Sequence, residues 1–112
     1  MRVRKYLTSP IGLNHAKKIN WYHHWLGEGL NAIEDILVSG KFCGSFCYND
    51  EPTIADAFLI PQVYNAERFK YSLDRYPTIR KIYKSCICHP AFIAAQPHLQ
   101  PDASEYSPED EY

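Results

Sequence analysis

The sequence predicts an all-α bundle, and three observations carry that prediction. Apolar residues recur at spacings of three and four through several long segments. No segment shows the strict alternation of a half-buried strand. Helix-start signatures stand ahead of the periodic segments, at Asn14, at Thr53-Ile54-Ala55-Asp56 and at Pro77. About five helices are expected, one of them long and central.

Residues 1–7 already read as helix, with Val3 and Leu7 four apart and no capping residue ahead of them. A start of this kind resembles a helix cut in its middle. Residues 8–12, Thr-Ser-Pro-Ile-Gly, then break it. Asn14 is placed to cap the longest helix, which should run to Ser39 and stop at Gly40. Ile19, Tyr22, Leu26, Leu30, Ile33 and Leu37 form its main apolar stripe. Trp21, Trp25, Ala32 and Ile36 form a second stripe beside it. A face this wide suits either a central core helix or a helix buried on two sides, one of them against a partner.

Residues 41–51 form a loop rich in Gly, Asn, Ser and aromatics. Next comes the sharpest local signal. Thr53 can accept from the Asp56 amide while the Asp56 carboxylate reaches back to the Thr53 amide, a capping box with Asp in the usual Glu position. The negative charge also suits the positive end of the helix dipole. Ala55, Leu59, Val63 and Ala66 make one apolar row of that helix. Pro61 falls inside it, where the missing amide should kink it. Pro77 opens another helix, with Ile79, Ile82, Tyr83 and Cys86 facing inward. His89-Pro90 interrupts, a short turn containing Ala91, Phe92 and Ala95 follows, and Pro97 and Pro101 lead into an acidic tail. The domain organisation expected is one helical domain over 1–101 and a mobile tail over 102–112.

A chain of 112 residues, 46% hydrophobic and 22% charged, can bury one core and is not a disordered segment. Its net charge of −1 is unevenly spread. Asp102, Glu105, Glu109, Asp110 and Glu111 carry no basic partner in the tail, which leaves 12 basic against 8 acidic residues in the body. The basic residues are scattered, which argues against nucleic-acid binding. No apolar run approaches the ~18 residues of a membrane span, and no apolar run follows Arg2, Arg4 and Lys5 as a secretory signal requires. A cytoplasmic protein with reduced Cys43, Cys47, Cys86 and Cys88 is the expectation.

The cysteine spacings, Cys43-x3-Cys47 and Cys86-x-Cys88, are not those of metal knuckles, and no metal is expected. Adjacent on one helix, His23 and His24 cannot converge on a small ligand and read as a surface pair. No nucleophile–base spacing stands out, so no catalytic residue is assigned. Arg68 lies one helical turn after Tyr64, on the same face. A guanidinium beside a phenol suits a carboxylate-bearing ligand through paired charge-assisted hydrogen bonds; the alternative is an internal salt bridge or a solvated arginine.

These residues resemble a known family. Residues 2–7 (Arg-Val-Arg-Lys-Tyr-Leu), 21–25 (Trp-Tyr-His-His-Trp) and 29–34 (Gly-Leu-Asn-Ala-Ile-Glu) are similar to the zeta class of glutathione transferases. The likeness continues through 52–56 (Pro-Thr-Ile-Ala-Asp), 61–69 (Pro-Gln-Val-Tyr-Asn-Ala-Glu-Arg-Phe), 76–79 (Tyr-Pro-Thr-Ile) and 100–102 (Gln-Pro-Asp). The capping box is common to glutathione transferases, whereas 61–69 is specific to the maleylacetoacetate and maleylpyruvate isomerase branch. The 41–50 segment is longer than the family's usual connection.

The resemblance implies the C-terminal helical domain of a two-domain enzyme, with the thioredoxin-like N-terminal domain missing. The complete enzyme of that family adds the thiolate of glutathione to a cis double bond, permits rotation, and eliminates it to leave the trans isomer. Its substrates are small dicarboxylic intermediates of aromatic amino-acid catabolism. By resemblance Arg68 holds a substrate carboxylate, with Tyr64 beside it and Arg2 as a second candidate, while Thr53 and Asp56 are structural. Glutathione and a homodimer belong to the complete enzyme; none of the cofactor is expected on this chain alone, which is expected to be inactive. A non-catalytic interaction module or a remnant is the competing reading.

Overall fold

The computed structural model describes residues 2–103, with the side chains of Arg2 and Arg4 outside that description. Five α-helices follow one another: α1 (Arg2–Thr8), α2 (His15–Ser39), α3 (Ile54–Arg68), α4 (Pro77–Ile87) and α5 (Pro90–Ala94), with a 3-10 turn at Pro97–Leu99. No strand occurs among the described residues; one isolated bridge joins Cys43 and Asn49 within the 41–51 loop. Of the acidic tail expected to be mobile over 102–112, Asp102 and Ala103 are described, the Ala103 amide donating to the Gln100 carbonyl at 3.0 Å, and residues 104–112 lie outside the described part.

Asn14 caps α2 as expected, its Oδ1 accepting from the Lys17 amide at 2.9 Å. Gly40 ends the helix for a different reason than backbone handedness. Its φ is −72°, open to any residue, but a Cβ there would lie 2.9 Å from the Ile36 carbonyl oxygen. Small size is what position 40 uses.

The core sits where α2, α3 and α4 meet. Leu30 and Leu37 of α2, Leu59 and Val63 of α3, and Ile79, Ile82 and Cys86 of α4 are all buried, and Phe46 reaches in from the loop. α3 runs unbroken through Pro61. The expected inward row of α4 is reproduced, with Tyr83 half-buried at its edge.

Two carboxylates fasten this core. Asp56 is fully buried at the start of α3 and completes the capping box. Its Oδ2 accepts from the Thr53 amide at 2.8 Å and the Thr53 hydroxyl at 3.0 Å, and its Oδ1 from the Cys47 amide at 2.8 Å. Burial works to raise its pKa, but the hydrogen bonds from Cys47 and Thr53 win and hold the carboxyl below its ordinary value. Glu34, buried on α2, does for α4 what that helix cannot do for itself. The N-cap is Tyr76, with no side-chain cap bond, so Glu34 accepts the Thr78 and Ile79 amides at 2.8 and 2.9 Å.

The histidine pair divides, which corrects the surface reading. His24 is exposed against Trp25, but His23 is half-buried and its Nε2 donates to the Phe69 carbonyl at 2.8 Å. Its ring also meets Tyr71 edge-on at 5.2 Å. One residue along a helix turns a side chain by about 100°, enough to place one histidine in solvent and its neighbour against the α3–α4 turn. Tyr71 in turn bonds the Tyr76 hydroxyl at 2.9 Å and crowds α2 at Gly27, where a Cβ would lie 2.6 Å from its oxygen.

Candidate functional site

The last two turns of α3 bring the expected pair together. The Arg68 guanidinium carbon lies 5.8 Å from the centre of the Tyr64 ring, and both residues are half-buried. The ring face favours a cation there, and so does the negative end of the helix dipole. Between them in sequence, Glu67 accepts the Tyr83 hydroxyl of α4 at 3.0 Å. Burial, then this bond to Glu67, pushes the Tyr83 phenol up to about 12, so it remains a protonated donor. The cluster thus offers one guanidinium and the Tyr64 phenol, with the Tyr83 hydroxyl already given to the neighbouring Glu67 carboxylate. Chemically it can hold an anion; it contains no activated nucleophile.

Arg2 is the first described residue of α1, and its side chain lies outside the described part. The polar atoms of Thr53 and Asp56 are engaged in the cap and the loop. No group of three or more His, Cys, Asp or Glu among the described residues is arranged to hold a metal ion. None of the described helices is long and apolar enough to cross a membrane.

A second feature lies along α2. A groove of ≈ 290 Å³ is lined by Trp21, Tyr22, Trp25, Leu26, Gly29, Leu30, Ile33 and, from α3, Gln62. Nothing stands within 4 Å of where a Cβ on Gly29 would be, so the floor is open. Trp25 is 56% exposed and Ile36, further along the second stripe, 68%. Phe58 and Ile54 on α3 are also exposed to water, at 73% and 76%. Apolar area left in water on this scale is the usual mark of a contact surface.

Sequence reasoning paired Arg68 with Tyr64, as the structure does, but missed Glu67 and Tyr83 as their neighbours. Tyr83 was legible as an inward residue of α4; what it faces depends on how α3 and α4 cross, which helical period does not encode. Gln62, which α3 contributes to the groove wall, carried no signal of its own.

No protein-family model matches the chain. A probable maleylacetoacetate isomerase of Vibrio cholerae is 39% identical over 103 residues, which are 92% of this chain and 47% of that protein. A holo maleylpyruvate isomerase, a bacterial glutathione transferase of the zeta class, superposes with a TM-score of 0.86 at 37% identity, over 90% of this chain and 48% of its own. A maleylacetoacetate isomerase from Anaeromyxobacter dehalogenans, with dicarboxyethyl glutathione and citrate in its active site, gives 0.81 at 35% identity, over 98% and 46%. The chain therefore spans about half the length of the relatives it matches. By sequence and by fold it is a zeta-class glutathione transferase relative, matching the helical C-terminal domain of the maleylacetoacetate and maleylpyruvate isomerases.

Proposed function

We propose that this chain is the substrate-binding half of a glutathione-dependent cis–trans isomerase acting on a small dicarboxylate in the cytoplasm. A thioredoxin-like domain, on the same or another polypeptide, completes it, and the complete enzyme is a homodimer. The observation that carries the reading is the Arg68–Tyr64 cluster on a fold whose relatives are isomerases of dicarboxylates.

The residues present fit only part of such a site. Arg68 would take a substrate carboxylate in a two-pronged hydrogen bond, with the Tyr64 ring steadying the guanidinium and the Tyr83–Glu67 bond holding the end of α3 against α4. Arg2 is a second candidate for the other carboxylate. In the complete enzyme glutathione supplies the thiolate that adds to the double bond and later leaves. The α2 groove, walled by aliphatic and aromatic side chains and the Gln62 amide, has no charged residue to match the charges of that tripeptide. Its apolar rim suits a protein surface instead, and the thioredoxin-like domain is the cover assigned to it.

The test is complementation. The chain joined to the thioredoxin-like half of the Vibrio cholerae relative should turn over maleylpyruvate or maleylacetone, while the chain alone should not. In the joined protein, Arg68→Ala should raise KM at least tenfold with a smaller change in kcat, the mark of lost substrate binding. A joined protein that folds and binds glutathione but is indifferent to Arg68→Ala would remove Arg68 from the site.

A further inference from the structure

Two of the four cysteines, from distant stretches of sequence, meet at one carboxylate. Cys86 is fully buried on α4 and its thiol donates to Asp56 Oδ1 at 3.9 Å. The same oxygen takes the Cys47 amide at 2.8 Å, and the half-buried Cys47 thiol bonds the same carboxylate. Cys43 also packs against the core but directs its thiol to the Phe46 carbonyl at 3.9 Å. Cys88 is exposed. Cys47 and Cys86 are thus the two thiols that share a partner, one in the 41–51 loop and one on α4.

We propose that Cys47 and Cys86 form a reversible disulfide that staples the loop to α4, made and broken by exchange with small-molecule disulfides such as oxidised glutathione. Cys47, the less buried, loses its proton to solvent and attacks one sulfur of the oxidant, releasing one glutathione thiolate, which takes up a proton. Cys86 then loses its own proton to solvent, its thiolate attacks the Cys47 sulfur of the mixed disulfide, and the second glutathione leaves as a thiolate that takes up a proton. Two protein thiols are oxidised and one glutathione disulfide is reduced to two thiols, so protons and electrons balance.

The surroundings accommodate the oxidised form. Asp56 gives up two thiol donors but keeps the Thr53 amide and hydroxyl and the Cys47 amide. The link would close a long chain segment, the case in which a disulfide constrains the unfolded chain most. Burial, then the Asp56 carboxylate, pushes both thiols up to about 12, so exchange is slow at neutral pH and quickens as pH rises. The inference is independent of the isomerase reading, since neither thiol touches the Arg68–Tyr64 cluster.

The experiment uses the 112-residue chain carrying Cys88→Ser, which removes the exposed thiol, treated with oxidised glutathione at about pH 8.5. The expected product has lost two hydrogens, yields a Cys47–Cys86 linked peptide on digestion, and melts several degrees higher until dithiothreitol restores the starting value. Cys43→Ser should leave the cross-link intact. Pairing of Cys43 with Cys47, a glutathione adduct that never resolves, no reaction, or a cross-link that lowers the melting temperature would each overturn the proposal.

Discussion

Along α2, Leu30 and Leu37 are 1% and 8% exposed, whereas Trp25 and Ile36, on the neighbouring stripe of the same helix, are 56% and 68%. Both stripes are strongly apolar, and only one is covered. On the covered side the polar groups have partners too: Glu34 closes the start of α4, and His23 closes the turn after α3. Between the two stripes lies an open groove, walled from both and with Gly29 in its floor. The difference teaches that equal apolarity along one helix does not bring equal burial: what packs against each stripe decides. The covered face is packed within the chain, while Trp25 and Ile36 stay in water on the face to which we assign a contact.

Breaking the covered face should have the largest effects. Asp56→Ala leaves the Thr53 and Cys47 amides without an acceptor and removes one half of the capping box of α3, so it should cost on the order of 3 kcal/mol in chemical denaturation. The same residue sets the acid limit. Its folded pKa lies below its unfolded value, so its contribution is fully present above the unfolded value of about 3.9 and is lost as pH falls through the folded one. A denaturation series should show wild-type stability falling below about pH 4, with that part of the slope missing in Asp56→Asn. Glu34→Ala should cost about 2 kcal/mol by orphaning two amides at the start of α4.

The open face should respond in the opposite way. Trp25→Ser should change stability by no more than about 0.5 kcal/mol, since the side chain is already in water. The same change should reduce self-association, which the wild-type chain is expected to show in sedimentation velocity at tens of micromolar. A wild-type chain that sediments as a clean monomer there would contradict the contact role given to this face.

Much of the covered face was readable beforehand. Asn14, the Thr53–Asp56 box and Pro77 announce three helix starts through local chemistry, and each rule acts within a few residues. Arg68 and Tyr64 were paired by the same local logic, one turn apart. The features that escaped are those joining distant segments. Glu34 reaches α4 across 44 residues and His23 reaches Phe69 across 46. Tyr83 finds Glu67 only because α3 and α4 pack together. In the sequence Glu34 looks like any solvated helix acid and His23 like half of a surface pair. The meeting of Cys47 and Cys86 was invisible for the same reason. Gly40 was correctly placed but for another cause, crowding by the Ile36 carbonyl rather than a left-handed backbone.

The most direct test of the account is a calorimetric titration of the 112-residue chain with reduced glutathione, alone and then joined to a thioredoxin-like half. The account predicts no saturable heat from the chain alone and a saturable one-site isotherm once the second half is present. Saturable binding of glutathione by the isolated helices, in the same affinity range as the joined protein, would contradict it.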